Sequence, residues 1–452
     1  MTGRASVLGV GLLLIASAAP AQTRRPPGPK HSDDFEAQAA FRWFESMYDI
    51  VKTEGTTPPV AARHYGIAAV ALYEAVAPGA RDHRSLAGQL NGLKAIPRPS
   101  RAAHHWPTVA NVAMADVLRG LYPEISDGSL DLINNLEAAL AGQYRRQVPA
   151  AEYERSAAYG QQVANAILEW ASGDGYALFD DCEYTVPVGP GRWVATPPLF
   201  ARPLQPCWGQ VRPMVLTSGA ECAPASPPRY SSEATSELYA QAFVVHQTGV
   251  MLTPAQKEIA HYWADGPGTT GTPPGHSIAI MSGFVQDDGM SLMEAAEGYA
   301  RVGIAVHDAF IACWNTKYAH SLIRPVTYIQ QLIDRNWKPL LPTPNFPEYA
   351  SGHSTQSGAS ATVMADMLGE RTFTDTTRRR HGLEPEMADR SFQSLEDAAE
   401  EAAISRLYGG IHYPAGNRDG LQQGRCIGRA VIDRVAFRRT SAVAGPALVS
   451  SK

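Results

Sequence analysis

Three short stretches in the second half of the chain place cations, histidines and glycines where they could do chemistry. The first, CWNTKYAHSLIRPV, holds Lys317 and Arg324 with Trp314 close by. Their separation equals two helical turns, which predicts both cations on one helix face. The second, FPEYASGHST, passes from Phe346 into Ser351, Gly352 and His353, residue types that suit the mouth of a helix. The third, SRLYGGIHYPAGNRDG, sets Arg406 ahead of His412 with Gly409 and Gly410 between them. One lysine and two arginines supply fixed positive charge and forked N–H donors that match a tetrahedral oxyanion. Backbone N–H groups at a helix start, with the positive end of its dipole, would meet the same anion. Histidines add an acid, a base, a nucleophile or a metal ligand near neutral pH. Taken singly, the first stretch reads as a solvated helix face, the second as an ordinary helix start and the third as a weak pair. Their joint occurrence points to a pocket for phosphate or an anion of that shape.

The elements that must position these residues are helical. FEAQAAFRWFESMYDIVK puts Phe35, Ala39, Trp43 and Met47 at helical spacing, and PPVAARHYGIAAVALYEAV follows. Further helices are predicted near 100–121, 127–142 and 151–173, then over 233–247, 254–265, 291–313, 317–333, 354–368, 393–408 and 416–436. Residues 174–232 are dense in proline, glycine and aromatics and read as an ordered, irregular excursion with a short strand pair. Strand-type alternation is scarce, so the expected class is all-α, two packed helical bundles. The supporting half would span 33–232 and the half carrying the site 233–440, packed as one unit.

With 452 residues, 44% of them hydrophobic, the chain can bury a large core. A net charge of −5 with interspersed signs excludes a nucleic-acid tail or a membrane-surface helix. At the N-terminus Arg4 precedes VLGVGLLLIASAA, which ends in Ala19-Pro20-Ala21. That pattern predicts a secretory signal over 1–21, a disordered leader over 22–32, and export to the periplasm or medium. No later run has the length of a membrane span, so no integral membrane contact is expected. Residues 441–452 read as a flexible tail. Of the five cysteines, Cys182, Cys207 and Cys222 fall in the excursion, where a disulfide would be useful. Cys313 and Cys426 lie in helical pattern and read as small buried residues. An odd total leaves at least one thiol without an intramolecular partner.

The ordered set K-x6-R-P, S-G-H and S-R-x5-H resembles the signature of the type 2 phosphatidic acid phosphatase and vanadium-dependent haloperoxidase superfamily. GRWVATPP, PCWGQVRP, GTPPGHSIA and CWNTKY, with PPVAARHYGIAAVALYEAV, look like the haloperoxidase branch, so the resemblance covers most of the mature chain. It implies vanadate as cofactor, held by Lys317, Arg324, Arg406, Ser351 and the N–H of Gly352, with His412 as the metal ligand. His353 would be the acid–base partner, and Lys317 would also act on the peroxide. Trp314 and Phe346 match positions that flank the halide in fungal chloroperoxidases; plain aromatic core is the other reading. The implied reaction oxidises halide with hydrogen peroxide to hypohalous acid, which halogenates a small organic acceptor. Phosphate fits the same cage, so an exported acid phosphatase acting through a phosphohistidine on phosphate esters is the second hypothesis. An oxyanion-binding protein without turnover is the third. Family members often form homo-oligomers, although no interface is legible here.

One departure from the family pattern stands out. Phosphatase-type members carry an acid four residues after the last histidine, where this chain has Gly416; Asp419 and Glu401 are the substitutes considered. His307-Asp308 reads as a satisfied helical pair, His320 as a residue that could reach the pocket rim, and His276 as structural at a helix start. Asp180-Asp181 and Asp287-Asp288 sit in turn-like contexts and suggest no divalent metal site.

Overall fold

The computed structural model describes residues 1–3 and 30–439. The expected signal, most of the leader and the tail lie outside the described residues. Five helices form the first half: α1 Gln38–Thr53, α2 Pro58–Val76, α3 Trp106–Leu121, α4 Asp127–Tyr144 and α5 Ala150–Ser172. After the excursion come α6 Glu237–Val250, α7 Pro254–Tyr262, α8 Thr272–Asp287 and α9 Leu292–His320. The chain continues through α10 Pro325–Leu332, α11 Gly352–Leu368, α12 Thr377–Arg380, α13 Leu395–Tyr408 and α14 Pro414–Arg434. The strands β1 Phe373–Asp375 and β2 Arg390–Phe392 pair antiparallel, with Phe373 opposite Phe392. The expected strand pair within 174–232 is absent among the described residues; its polar and backbone groups bond to neighbouring segments instead.

Helix α9 is the spine. A capping box of Ser291 and Glu294 opens it, and nearly every residue along its length is buried. It crosses α2 where Gly303 meets Gly66, so the two backbones approach closely: a Cβ on Gly303 would sit 2.7 Å from that of Ala69. One hydrophobic core runs through both halves, from Trp43 and Phe44 to Ile427 and Val431. Ser321, with a left-handed φ of 47°, ends α9, and Pro325 opens α10. Lys317 and Arg324 therefore stand on different elements, not on one helix face as the spacing predicted. A left-handed residue between them breaks the helical phase.

The helix that carries His353 is held by a glycine row. Gly420, Gly424 and Gly428 on α14 face α11: a Cβ at Gly420 would come 2.9 Å from the Ser351 carbonyl oxygen, and at Gly428 2.6 Å from Thr362 Cβ. At Gly424 it would overlap the carbonyl oxygen of Thr355. Small residues at every fourth position thus let α14 lie against the α11 backbone.

The excursion is anchored to α9 by Asp308, whose carboxylate accepts the N–H groups of Met214, Val215 and Leu216 at 2.7–2.9 Å. His307 Nδ1 lies 3.0 Å from the same carboxylate. Two disulfides add to this, Cys182–Cys207 within the excursion and Cys222–Cys426 from it to α14. Cys426 is thus a disulfide partner and not a small buried residue, because its position on α14 is exposed next to the excursion. Cys313 is the buried free thiol.

Candidate active site

The three stretches meet at one cavity of about 600 Å³. Gly352, His353, Arg406 and His412 line its polar part, with Asp265 beside them. Trp314, Phe346 and Phe310 form an aromatic wall. Pro58, Leu199 and Leu204 also border it, so the first half and the excursion contribute to the site as well as supporting it.

Ser351 is the N-cap of α11, its hydroxyl accepting the Ser354 N–H at 3.4 Å. Its own N–H donates to the Gly416 carbonyl at 2.9 Å, tying the helix mouth to α14. Gly352 is the first helical residue, so its N–H has no partner within the helix. A Cβ there would meet nothing nearer than the Trp314 ring at 3.7 Å, and glycine keeps the approach to that N–H open.

His412 is buried, and its tautomer is determined by two contacts. Nδ1 lies 2.8 Å from Glu348 Oε1, an oxygen that also accepts the Tyr413 N–H at 3.0 Å. Nε2 lies 3.3 Å from Arg324 Nη1, which can only donate. The proton therefore sits on Nδ1 and the lone pair on Nε2. Burial, then Arg324, Lys317 and Arg406, hold the ring well below the ordinary imidazole range, so it is neutral at pH 7 and able to ligate a metal.

His353 has the complementary arrangement. Its Nε2 donates to the Trp263 carbonyl at 2.9 Å, which leaves Nδ1 as the nitrogen that can exchange a proton. Burial and then Arg406 lower its affinity for that proton. Arg406 donates to the same Trp263 carbonyl at 2.5 Å, so one main-chain oxygen at the end of α7 aligns both side chains.

Arg324 is fully buried, donating from Nε to the Phe346 carbonyl at 2.8 Å and from Nη1 to that of Ile411 at 2.9 Å. Its Nη2 and the Nε of Arg406 are buried without a protein acceptor. Lys317 differs from its expected role. All three of its hydrogens can be accounted for by the carbonyls of Pro347, Glu348 and Ala350 at 3.1, 3.0 and 2.5 Å. A fully buried ammonium needs three acceptors, and this segment supplies them. Lys317 thereby lends charge from behind the cavity wall and holds the segment leading into Ser351.

Trp314 donates its indole N–H to the Leu204 carbonyl at 3.2 Å, so it offers the cavity its ring only. Phe346 packs against it with centroids 4.9 Å apart. Lys317 Nζ and the Arg324 guanidinium each lie 4.9 Å from the Phe346 centroid, offsetting the negative charge of the ring face that would repel an anion.

Neither proposed substitute acid stands beside His412. Asp419 pairs with Tyr349 and Arg418, and Glu401 with Arg390 and Trp263. The carboxylate there is Glu348, unassigned from sequence although it is the one acid in FPEYASGHST. Trp263 was also missed, necessarily, because it acts through its main chain. His276 is the fifth residue of α8, between Asp265 and Asp375 at 2.8 and 2.7 Å. His320 packs on the edge of Tyr349 and is not among the cavity's lining residues.

Buried guanidinium donors and a helix-mouth N–H, beside a neutral imidazole that presents a lone pair, make a site of the class suited to a tetrahedral oxyanion such as vanadate or phosphate. Residues 298–440 match the family model of the second helical-bundle domain of vanadium chloroperoxidase. A bacterial vanadium-dependent iodoperoxidase is 36% identical and superposes with a TM-score of 0.82, over 92% of this chain and 99% of its own. A holo-type bacterial vanadium-dependent chloroperoxidase shares the fold at 16% identity, with a TM-score of 0.62 over 85% of this chain and 95% of its own. No curated protein was found to match. The chain belongs to the vanadium-dependent haloperoxidase family.

Proposed function

We propose that this protein is a vanadate-dependent haloperoxidase in which Arg324, Arg406, Gly352 and His412 hold the cofactor. The observation that carries the assignment of residues is that two guanidinium nitrogens, Arg324 Nη2 and Arg406 Nε, are buried without protein acceptors, while Nη1 of the same Arg324 meets Nε2 of the neutral His412. Burying such donors costs free energy unless an acceptor meets them, and an oxyanion provides several. The residues therefore fit vanadate. Bound vanadate would supply a Lewis-acidic centre, without change of oxidation state, that activates hydrogen peroxide toward halide.

The chain's own residues do the rest. His412 offers the Nε2 lone pair as ligand, while the arginines and the Gly352 N–H neutralise and orient the anion. Lys317 adds charge from beneath. Converting hydrogen peroxide and halide to hypohalous acid and water takes up one proton, and Nδ1 of His353 is placed to transfer it. Trp314 and Phe346 wall the cavity against water on the side where a large, weakly hydrated halide would approach.

The iodoperoxidase likeness makes iodide the first halide to test. Export rests on the signal-like N-terminus and the two disulfides, which persist in oxidising compartments. Among the described residues no helix is long and apolar enough to cross a membrane.

The test compares mature protein loaded with orthovanadate, given peroxide and each halide, with a vanadate-free sample given an aryl phosphate. Halide oxidation that needs both vanadate and His412, lost in His412→Ala, is expected. Phosphate release inhibited by vanadate, with no halide oxidised, would overturn the reading.

A further inference from the structure

In the phosphatase pattern that the sequence resembles, an acid would stand where this chain has Gly416, and the structure gives a reason for the lack of a side chain there. Glu348, 0% exposed, approaches His412 from the segment before α11. A Cβ built on Gly416 would overlap Glu348 Oε1 and lie 3.1 Å from Cδ and 3.2 Å from Oε2. The carboxylate fills the space that a side chain at 416 would need.

We propose that Glu348 is the positioning residue for His412 and that Gly416 is its steric counterpart, a glycine because the Glu348 carboxylate fills the space a side chain would take. The inference rests on His412 being the vanadate ligand. The Glu348 main chain is locked, its N–H donating to the Leu322 carbonyl at 3.0 Å and its carbonyl accepting from Lys317 at 3.0 Å. The side chain is thus delivered from a fixed backbone, and the Tyr413 N–H aims Oε1 at Nδ1. A carboxylate at Nδ1 holds the proton there, points Nε2 into the cage and raises its donor strength toward a metal. An acid at 416 would instead come from the first turn of α14, which begins two residues after His412. Here the carboxylate arrives from the segment that Lys317 binds, so His412, Lys317 and the mouth of α11 form one bonded unit.

The experiment measures vanadate affinity by equilibrium dialysis, with folding followed by circular dichroism. The isosteric Glu348→Gln is expected to weaken vanadate binding about 10-fold, within the 10–100-fold typical when a ligand's hydrogen-bond partner is changed. Glu348→Ala should weaken it further. Gly416→Asp alone should lose binding, because the new side chain meets Glu348. The double variant Glu348→Ala with Gly416→Asp should recover at least part of the affinity lost by Glu348→Ala. A structural role alone gives no reason for that reciprocal rescue. Wild-type affinity in Glu348→Gln, or a folded double variant no better than Glu348→Ala, overturns the inference. If the double variant does not fold, Glu348→Gln decides alone. Wild-type protein that binds no vanadate would instead defeat the functional reading itself, and this inference with it.

Discussion

His353 and His412 are neighbours in the cavity with opposite free nitrogens, and their roles should separate on that basis. The Trp263 carbonyl leaves Nδ1 of His353 free for the proposed proton transfer, while Glu348 leaves the Nε2 lone pair of His412 free for the proposed ligation. His353→Ala should therefore lower kcat about 100-fold or more, the usual worth of a positioned acid–base group, with little change in vanadate affinity. Arg406→Lys should do the reverse. It keeps the charge but loses the fork that reaches both the Trp263 carbonyl and the anion, so vanadate binding should weaken about 10-fold, or roughly 1.4 kcal/mol. Steady-state kinetics at saturating vanadate and equilibrium dialysis separate the two effects; the same loss pattern in both variants would contradict the assigned roles. The residue types of this site were legible from sequence, because histidine and arginine admit few chemistries. Their protonation sites were not, since a tautomer depends on what lies opposite each nitrogen.

At the level of elements, the site depends on how α11 lies against α14. Gly420, Gly424 and Gly428 give α14 a bare face, and on its other side the Cys222–Cys426 disulfide ties it to the excursion. Gly424→Ala would drive a methyl group into the Thr355 carbonyl, one turn after the helix mouth. It should destabilise the fold by about 1–3 kcal/mol, as overpacking does, even though alanine favours helix over glycine. A urea titration measures this, and a stabilised variant would show that the two backbones are not in close contact. The helix mouth at Ser351 was readable because an N-cap is a local property. The end of α9 was not: the helical spacing of Lys317 and Arg324 continued past Ser321, where a left-handed residue stops it. The excursion was recognisable by its composition, but its contribution of Leu199 and Leu204 to the cavity depends on contacts far along the chain.

For the whole molecule, a buried ion cluster ties stability to pH. His276 lies between Asp265 and Asp375; burial opposes its charge, but the two carboxylates outweigh that and raise it to about 10. A group raised above its unfolded value, about 6.5, contributes its full stabilisation below that pH and loses it as pH climbs through about 10. The difference in Tm between wild type and His276→Gln should therefore be largest near pH 6 and shrink steadily toward pH 10. A constant difference across that range would mean that the contribution is packing alone. Because Asp265 also lines the cavity, the same cluster borders the chemistry.

The sequence by itself determined the helical class, the irregular excursion and the oxyanion chemistry, because periodicity, caps and functional groups are written locally. Tertiary structure alone decided that Lys317 faces a loop of carbonyls, that Cys222 pairs with Cys426, and that the Glu348 carboxylate meets Nδ1 of His412 in the space beside Gly416. Each of those depends on which distant groups share a small buried space, where a charge must find partners and two side chains cannot occupy one volume.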